Sequence, residues 1–212
     1  MLTTILFDLD GTLIDTNELI IDSFNNTFKL MGKPVPQRNE IIYCFGEPLN
    51  RTMSKFFDDV DKAIEIYREF NFKHHDNRIS LYENTEKLLK SLKEDNFKLG
   101  IVTSKNKVPA LRGLEILNIF EYFDVIIAGD DVKKHKPDPE PVVKACEFLG
   151  VSPTEAMMVG DTIYDIMSGR EAGSKTCGVL YSFMKDKLLE CDSDYYIENL
   201  IEILEILKKE NN

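Results

Sequence analysis

No two of the four cysteines in this 212-residue sequence stand close together. Cys44, Cys146, Cys177 and Cys191 form no Cys-x-x-Cys pair, which argues against a zinc site or a disulfide framework and for reduced thiols in a cytoplasmic protein. No stretch approaches the roughly 20 apolar residues of a membrane span, and the N-terminus lacks a basic segment followed by a long apolar run. Positive charge is also short, with 26 Lys and Arg against 37 Asp and Glu for a formal charge of -11. Neither a nucleic acid nor an anionic membrane is an expected partner of such a surface. Repeats and low-complexity segments are absent, and the oligomeric state stays open, a monomer being the simpler expectation.

What is present is an ordinary globular composition, 43% hydrophobic and 30% charged, in a chain long enough for one sizeable core plus a smaller unit. The chain is organised around Phe7 to Thr16. The apolar run Thr3 to Phe7 reads as a buried strand that delivers Asp8 and Asp10 at its C-terminal end, and Gly11 then turns the backbone. Along an extended chain the two carboxylates lean to one side, a site for a hard cation and for phosphate chemistry.

From Asp15 to Met31 the pattern is a capped helix stopped by Gly32-Lys33-Pro34, and from Gln37 to His75 only helical patterns occur. After Glu83 helices alternate with strands at Leu99 to Thr103, Val125 to Ala128, Ala156 to Val159 and Lys175 to Leu180, and Ile197 to Lys209 reads as a closing amphipathic helix. Such alternation predicts an α/β fold with a Rossmann-like parallel sheet and helices on both faces. The predicted core is residues 1–15 and 81–212, and the all-helical residues 16–80 are an insertion placed to act as a lid, with hinges near Asp15 to Asn17 and Asp76 to Leu81.

Three further polar signals follow strands: Thr103-Ser104-Lys105, Lys136-Pro137-Asp138-Pro139, and Gly160-Asp161 with Asp165. Taken singly, Asp161 reads equally well as a helix cap, Lys136 as a surface lysine, and Thr103 as a strand-end residue bonded to nearby backbone. Asp8 is different, because an acid directly after Phe7 in an apolar strand is costly to bury unpaired. Gly129-Asp130-Asp131 reads as loop capping, His74 and His75 as surface residues, and Tyr195-Tyr196 as packing.

In this order the motifs Asp-x-Asp-Gly-Thr-Leu-x-Asp-Thr at Asp8 to Thr16, Thr103, Lys136 and Gly160-Asp161 with Asp165 resemble the haloacid dehalogenase superfamily of phosphotransferases. The helical insertion is similar to that of its helical-cap subclass, which holds phosphoglycolate phosphatases, pyrophosphatases and β-phosphoglucomutases. The resemblance implies Asp8 as nucleophile and Asp10 as general acid/base. It implies Mg²⁺ held by Asp8, the Asp10 carbonyl and Asp161, with Asp165 a ligand or its neighbour. Lys136, Thr103, Ser104 and Gly11 would bind the phosphoryl group.

Substrate choice is expected from the insertion, where Phe45 to Arg51 breaks helical patterning; Glu47 and Arg51 are the candidate contacts to a leaving group, or else a capped helix start and a solvated arginine. Asp15 to Ile20 together with Phe45 to Leu49 looks most like the pyrophosphatase and phosphoglycolate phosphatase branch. A phosphatase of small phosphorylated metabolites or pyrophosphate is the leading reading. A sugar phosphomutase is its nearest rival, a metal-free dehalogenase is less favoured, and a non-catalytic phosphate-sensing or partner-binding module is the alternative of another class.

Overall fold

A computed structural model describes residues 1–211. In chain order its first elements are β1 (Thr4–Phe7), β2 (Ile14–Asp15), α1 (Asn17–Leu30), α2 (Arg38–Ile42), α3 (Leu49–Phe56), α4 (Val60–His74) and β3 (Ser80–Leu81). There follow α5 (Thr85–Glu94), β4 (Lys98–Val102), α6 (Lys107–Ile116), β5 (Val125–Ile127), α7 (Glu140–Leu149) and β6 (Ala156–Gly160). The chain ends with α8 (Ile163–Ala172), β7 (Lys175–Val179), α9 (Lys185–Leu188), β8 (Tyr195–Ile197) and α10 (Ile203–Glu210).

Six strands form one parallel sheet in the order β5-β4-β1-β6-β7-β8. The central strand β1 is buried on both faces, which is why its sequence is a continuous apolar run and not an alternating one. Ile5 and Phe7 pack under α5 and α10 with Leu88, Leu92 and Ile203, while Leu6 joins Val142, Ala145 and Met158 under α7. From β1 the chain works outward to β5, then returns to β6 on the other side of β1. The crevice between the C-terminal ends of β1 and β6 is therefore the switch point at which such sheets bind ligands.

The helices α1 to α4 bury a core of their own around Phe24, Phe28, Ile41, Met53 and Phe57, with Phe24 and Tyr67 edge to face at 5.0 Å. Its two connections to the sheet run side by side as an antiparallel pair, Ile14 opposite Leu81 and Asp15 opposite Ser80. Two-residue strands carry no periodicity, so this pair is absent from the sequence reading. The closing segment also corrects that reading. Tyr195–Ile197 is a sixth strand on Cys177–Val179, and a turn capped by Asn199 precedes the helix at Ile203. Leu200, Ile203 and Leu207 still face the core, so the apolar spacing was right and only the element boundaries were not. No helix among the described residues is long and apolar enough to cross a membrane.

Candidate active site

Asp8 leaves the sheet with its N–H on Val159 O at 2.8 Å, which sets it beside the end of β6. The next turn closes through Gly11, whose N–H donates to Ile14 O and whose φ is +82°. A Cβ there would stand 2.3 Å from Asp161 Oδ2, so only glycine allows the first turn to press against Asp161. At the base of α8, Asp165 accepts from the N–H (3.0 Å) and hydroxyl (2.7 Å) of Thr162. Thr162 is thus the residue at the helix cap, and Asp161 instead accepts from Ser182 Oγ at 2.6 Å and Thr12 Oγ1 at 3.4 Å.

Lys136 lies beneath these acids, only 4% exposed. Its ammonium donates to Asp8 Oδ1 (2.9 Å), to Val102 O (3.0 Å) and to Asp165 Oδ1, so all three N–H groups are used. The surface-lysine reading is excluded by that burial. Burial opposes the charge on Lys136, but Asp165 and Asp8 outweigh it and raise its pKa. Burial pushes Asp8 up to about 7 against the pull of Lys136, and raises Asp161 well above the carboxylate range with help from Asp165 and Asp8.

Asp8, Asp161 and Asp165 each place an oxygen within 4.8 Å of the others. Three buried carboxylates served by one ammonium form an oxygen donor set that fits a hard divalent cation. Both Asp165 oxygens already serve Lys136 and Thr162, so this residue braces the cluster, and the second oxygen of Asp8 has no hydrogen-bond partner among the described residues. The pH dependence follows in sign. A raised Asp8 pKa favours the folded chain at low pH, and that advantage is lost as pH rises from its ordinary 3.8 through about 7. A divalent cation is therefore expected to raise the melting temperature more at about pH 8 than at about pH 5. Equal shifts in a calorimetric melt at the two pH values would count against the cluster as the cation site.

Thr103 directly follows β4, its hydroxyl accepting from Lys105 N at 3.1 Å. The sequence alternative of a local backbone bond is thus realised, and the residue also lines the central cavity. Ser104 Oγ donates to Gly46 O at 2.9 Å, tying the core to the loop between α2 and α3. Gly46 has φ +83° and packs so closely that a Cβ would lie 2.8 Å from Thr162 Oγ1. Of the Phe45 to Arg51 segment, Phe45, Gly46, Glu47 and Leu49 line the central cavity. Glu47 accepts there from Tyr164 OH at 2.9 Å and pairs with Lys55. Arg51 does not follow. It is exposed on the outer side of α3, near His135 and Pro137, because the helix that starts at Leu49 turns it away.

The cavity between sheet and helices measures about 390 Å³ and is lined by Asp8, Asp10, Thr103, Asp161, Tyr67 and Lys105 among others. Asp10 accepts from Lys105 Nζ at 2.8 and 3.1 Å and from Thr16 Oγ1 at 2.8 Å. Lys105 belongs to a triplet singled out in the sequence, yet its role there was missed. His75 was misread as a surface residue. It is 2% exposed on the cavity wall, and burial together with Lys105 lowers its pKa. Asp130 and Asp131 cap their loop as expected, accepting from Lys107 N and Ala128 N. His135 leaves its buried Nδ1 without a partner, but the loop still delivers Lys136.

Residues 5–179 match the model of the haloacid dehalogenase-like hydrolases. A Clostridium perfringens protein bearing the PpaX name is 45% identical over the whole of both chains. The pyrophosphatase PpaX of Halalkalibacterium halodurans is 41% identical over 97% of each. A haloacid dehalogenase-like hydrolase of Streptococcus pneumoniae superposes with a TM-score of 0.87 at 28% identity, covering 97% of this chain and 98% of that one. The chain belongs to the haloacid dehalogenase-like hydrolases.

Proposed function

We propose that this hydrolase is a Mg²⁺-dependent phosphatase that transfers a phosphoryl group to Asp8 and then to water, with pyrophosphate as its favoured substrate. The observation that carries the reading is the state of Asp8: one oxygen is fixed by Lys136, and the other stands unpartnered at the cavity that Asp10 also lines. The free oxygen attacks phosphorus as the leaving oxygen departs with a proton from Asp10, and Asp10 then takes a proton from the water that cleaves the aspartyl-phosphate. Lys136 holds Asp8 in line, while Thr103 and the N–H group of Ser104 donate to the phosphoryl oxygens; the Gly11 N–H, the other expected donor, is spent on Ile14 O. Asp8, Asp161 and the Asp10 carbonyl would hold Mg²⁺, with Asp165 as brace, and the ion would supply positive charge to the phosphoryl oxygens.

Residues 16–80 serve as the cap, closed here by the Ser104–Gly46 and Tyr164–Glu47 bonds that cross to the core. Closure excludes water from the cavity and puts Glu47 beside the leaving group. The named relatives support pyrophosphate over phosphoglycolate. The test is phosphate release from pyrophosphate, phosphoglycolate, sugar phosphates and nucleotides, with Mg²⁺ and with EDTA. Pyrophosphate is expected to be cleaved fastest, with release lost in EDTA. Isomerisation of glucose 1-phosphate with little free phosphate would instead identify a mutase, and undiminished release in EDTA would remove the metal from the mechanism.

A further inference from the structure

We propose that Lys105 is the specificity residue of this site, selecting substrates whose leaving oxygen belongs to an anion. The inference rests on the phosphatase reading above and on Asp10 as the group that protonates the leaving oxygen. Lys105 sits inside the cavity with its side chain 14% exposed. Its backbone is held at both ends, the N–H on Thr103 Oγ1 at 3.1 Å and the carbonyl accepting from Gly129 N at 2.8 Å. The ammonium spends two N–H groups on the two Asp10 oxygens, and the third has no partner among the described residues.

A leaving oxygen close enough to take a proton from Asp10, about 2.6–3.2 Å away, meets the same carboxylate that Lys105 holds. An anionic oxygen one or two bonds beyond that atom then comes within reach of the ammonium. In pyrophosphate it is an oxygen of the departing phosphate itself. The leaving alcohol of a neutral monoester places no charge there and gains nothing from the lysine.

The rest of the cavity agrees in sign. Arg68 stands at the cavity wall, exposed, with no ion-pair partner among the described residues, so a second cation can face the same departing anion. Glu47, an acid on the same cavity, is already engaged by Lys55 and Tyr164. Because Lys105 belongs to the sheet side and not to the helical insertion, its preference for an anion holds whether the cap is open or closed.

The competing role for Lys105 is to position Asp10 alone, which would serve every substrate that needs a protonated leaving group. The two roles separate in the ratio of kcat/KM for pyrophosphate to kcat/KM for β-glycerol phosphate, measured with Mg²⁺ in the parent, Lys105→Gln and Lys105→Arg. Lys105→Gln is expected to lower that ratio about 10- to 100-fold, the worth of one hydrogen bond to a charged group, and Lys105→Arg to restore part of it. Equal losses on the two substrates, or no loss on either, overturn the proposal. A parent active on β-glycerol phosphate but not on pyrophosphate overturns it while leaving the phosphatase reading standing. A parent that cleaves neither overturns both.

Discussion

Asp8→Asn is expected to slow phosphate release at least about 10⁴-fold while melting no lower than the parent in metal-free buffer. The two halves of this result come from one cause. In the proposed mechanism the carboxylate is the nucleophile, and an amide nitrogen or oxygen does not replace it. The same carboxylate is also a burden on the folded state, since burial pushes its pKa up to about 7 and Asp165 adds to the cost of its charge. Removing the charge leaves Lys136 paired with Asp165 and bonded to Val102 O, so no buried ion is orphaned. A variant slow because it had unfolded would lose both properties together. Thermal melts beside steady-state assays separate the cases, and an active Asp8→Asn enzyme sinks the mechanism.

Lys136→Met is expected to have the opposite stability phenotype. The methionine fills much of the same volume but leaves Asp8, Asp165 and the Val102 carbonyl without their shared donor. Breaking a buried pair in this way costs about 3–5 kcal/mol, roughly 6–20 °C in melting temperature for a chain of this size. Urea titration at about pH 8 should show the loss. At about pH 5 the loss should shrink, because the stranded acids can be buried as neutral carboxyls. Unchanged stability at both pH values would mean that Lys136 is not the charge that permits this acidic cluster.

The layout of sheet and insertion was legible because it is written in long patterns. Leu88, Leu89 and Leu92 repeat at helical spacing, and Leu99 to Val102 is too apolar to be anything but a covered strand. The acids were legible for another reason. A carboxylate at the end of a buried strand needs a partner, and the ordered motifs supplied the candidates Asp161, Asp165 and Lys136.

What stayed hidden depends on directions that spacing does not encode. Whether Arg51 faces the cavity or solvent is decided by where α3 begins. The burial of His75 is decided by α6 passing beside the end of α4, where the His75 ring lies against Gly113. The two-residue ribbon of β2 and β3 and the short strand β8 fall below the length at which alternation can be seen. Lys105 was visible as part of a motif, but its bond to Asp10 joins residues 95 positions apart and only the fold brings them together.

The central place of β1 also bears on how the chain reaches its native state. Its neighbours are β4, starting at Lys98, and β6, starting at Ala156, so β1 finds its second partner only after the whole stretch from Asp8 to Glu155 has been made. Pairings of such long sequence separation are slow to form, because loop-closure entropy is lost before any contact repays it. The helices α1 to α4, contiguous in sequence, can instead collapse on local contacts while the sheet waits. During synthesis β1 therefore keeps one of its two edges unpaired until β6 emerges. A chain arrested before Ala156 should be recognised by hydrophobic-binding chaperones, and one arrested after α8 should not.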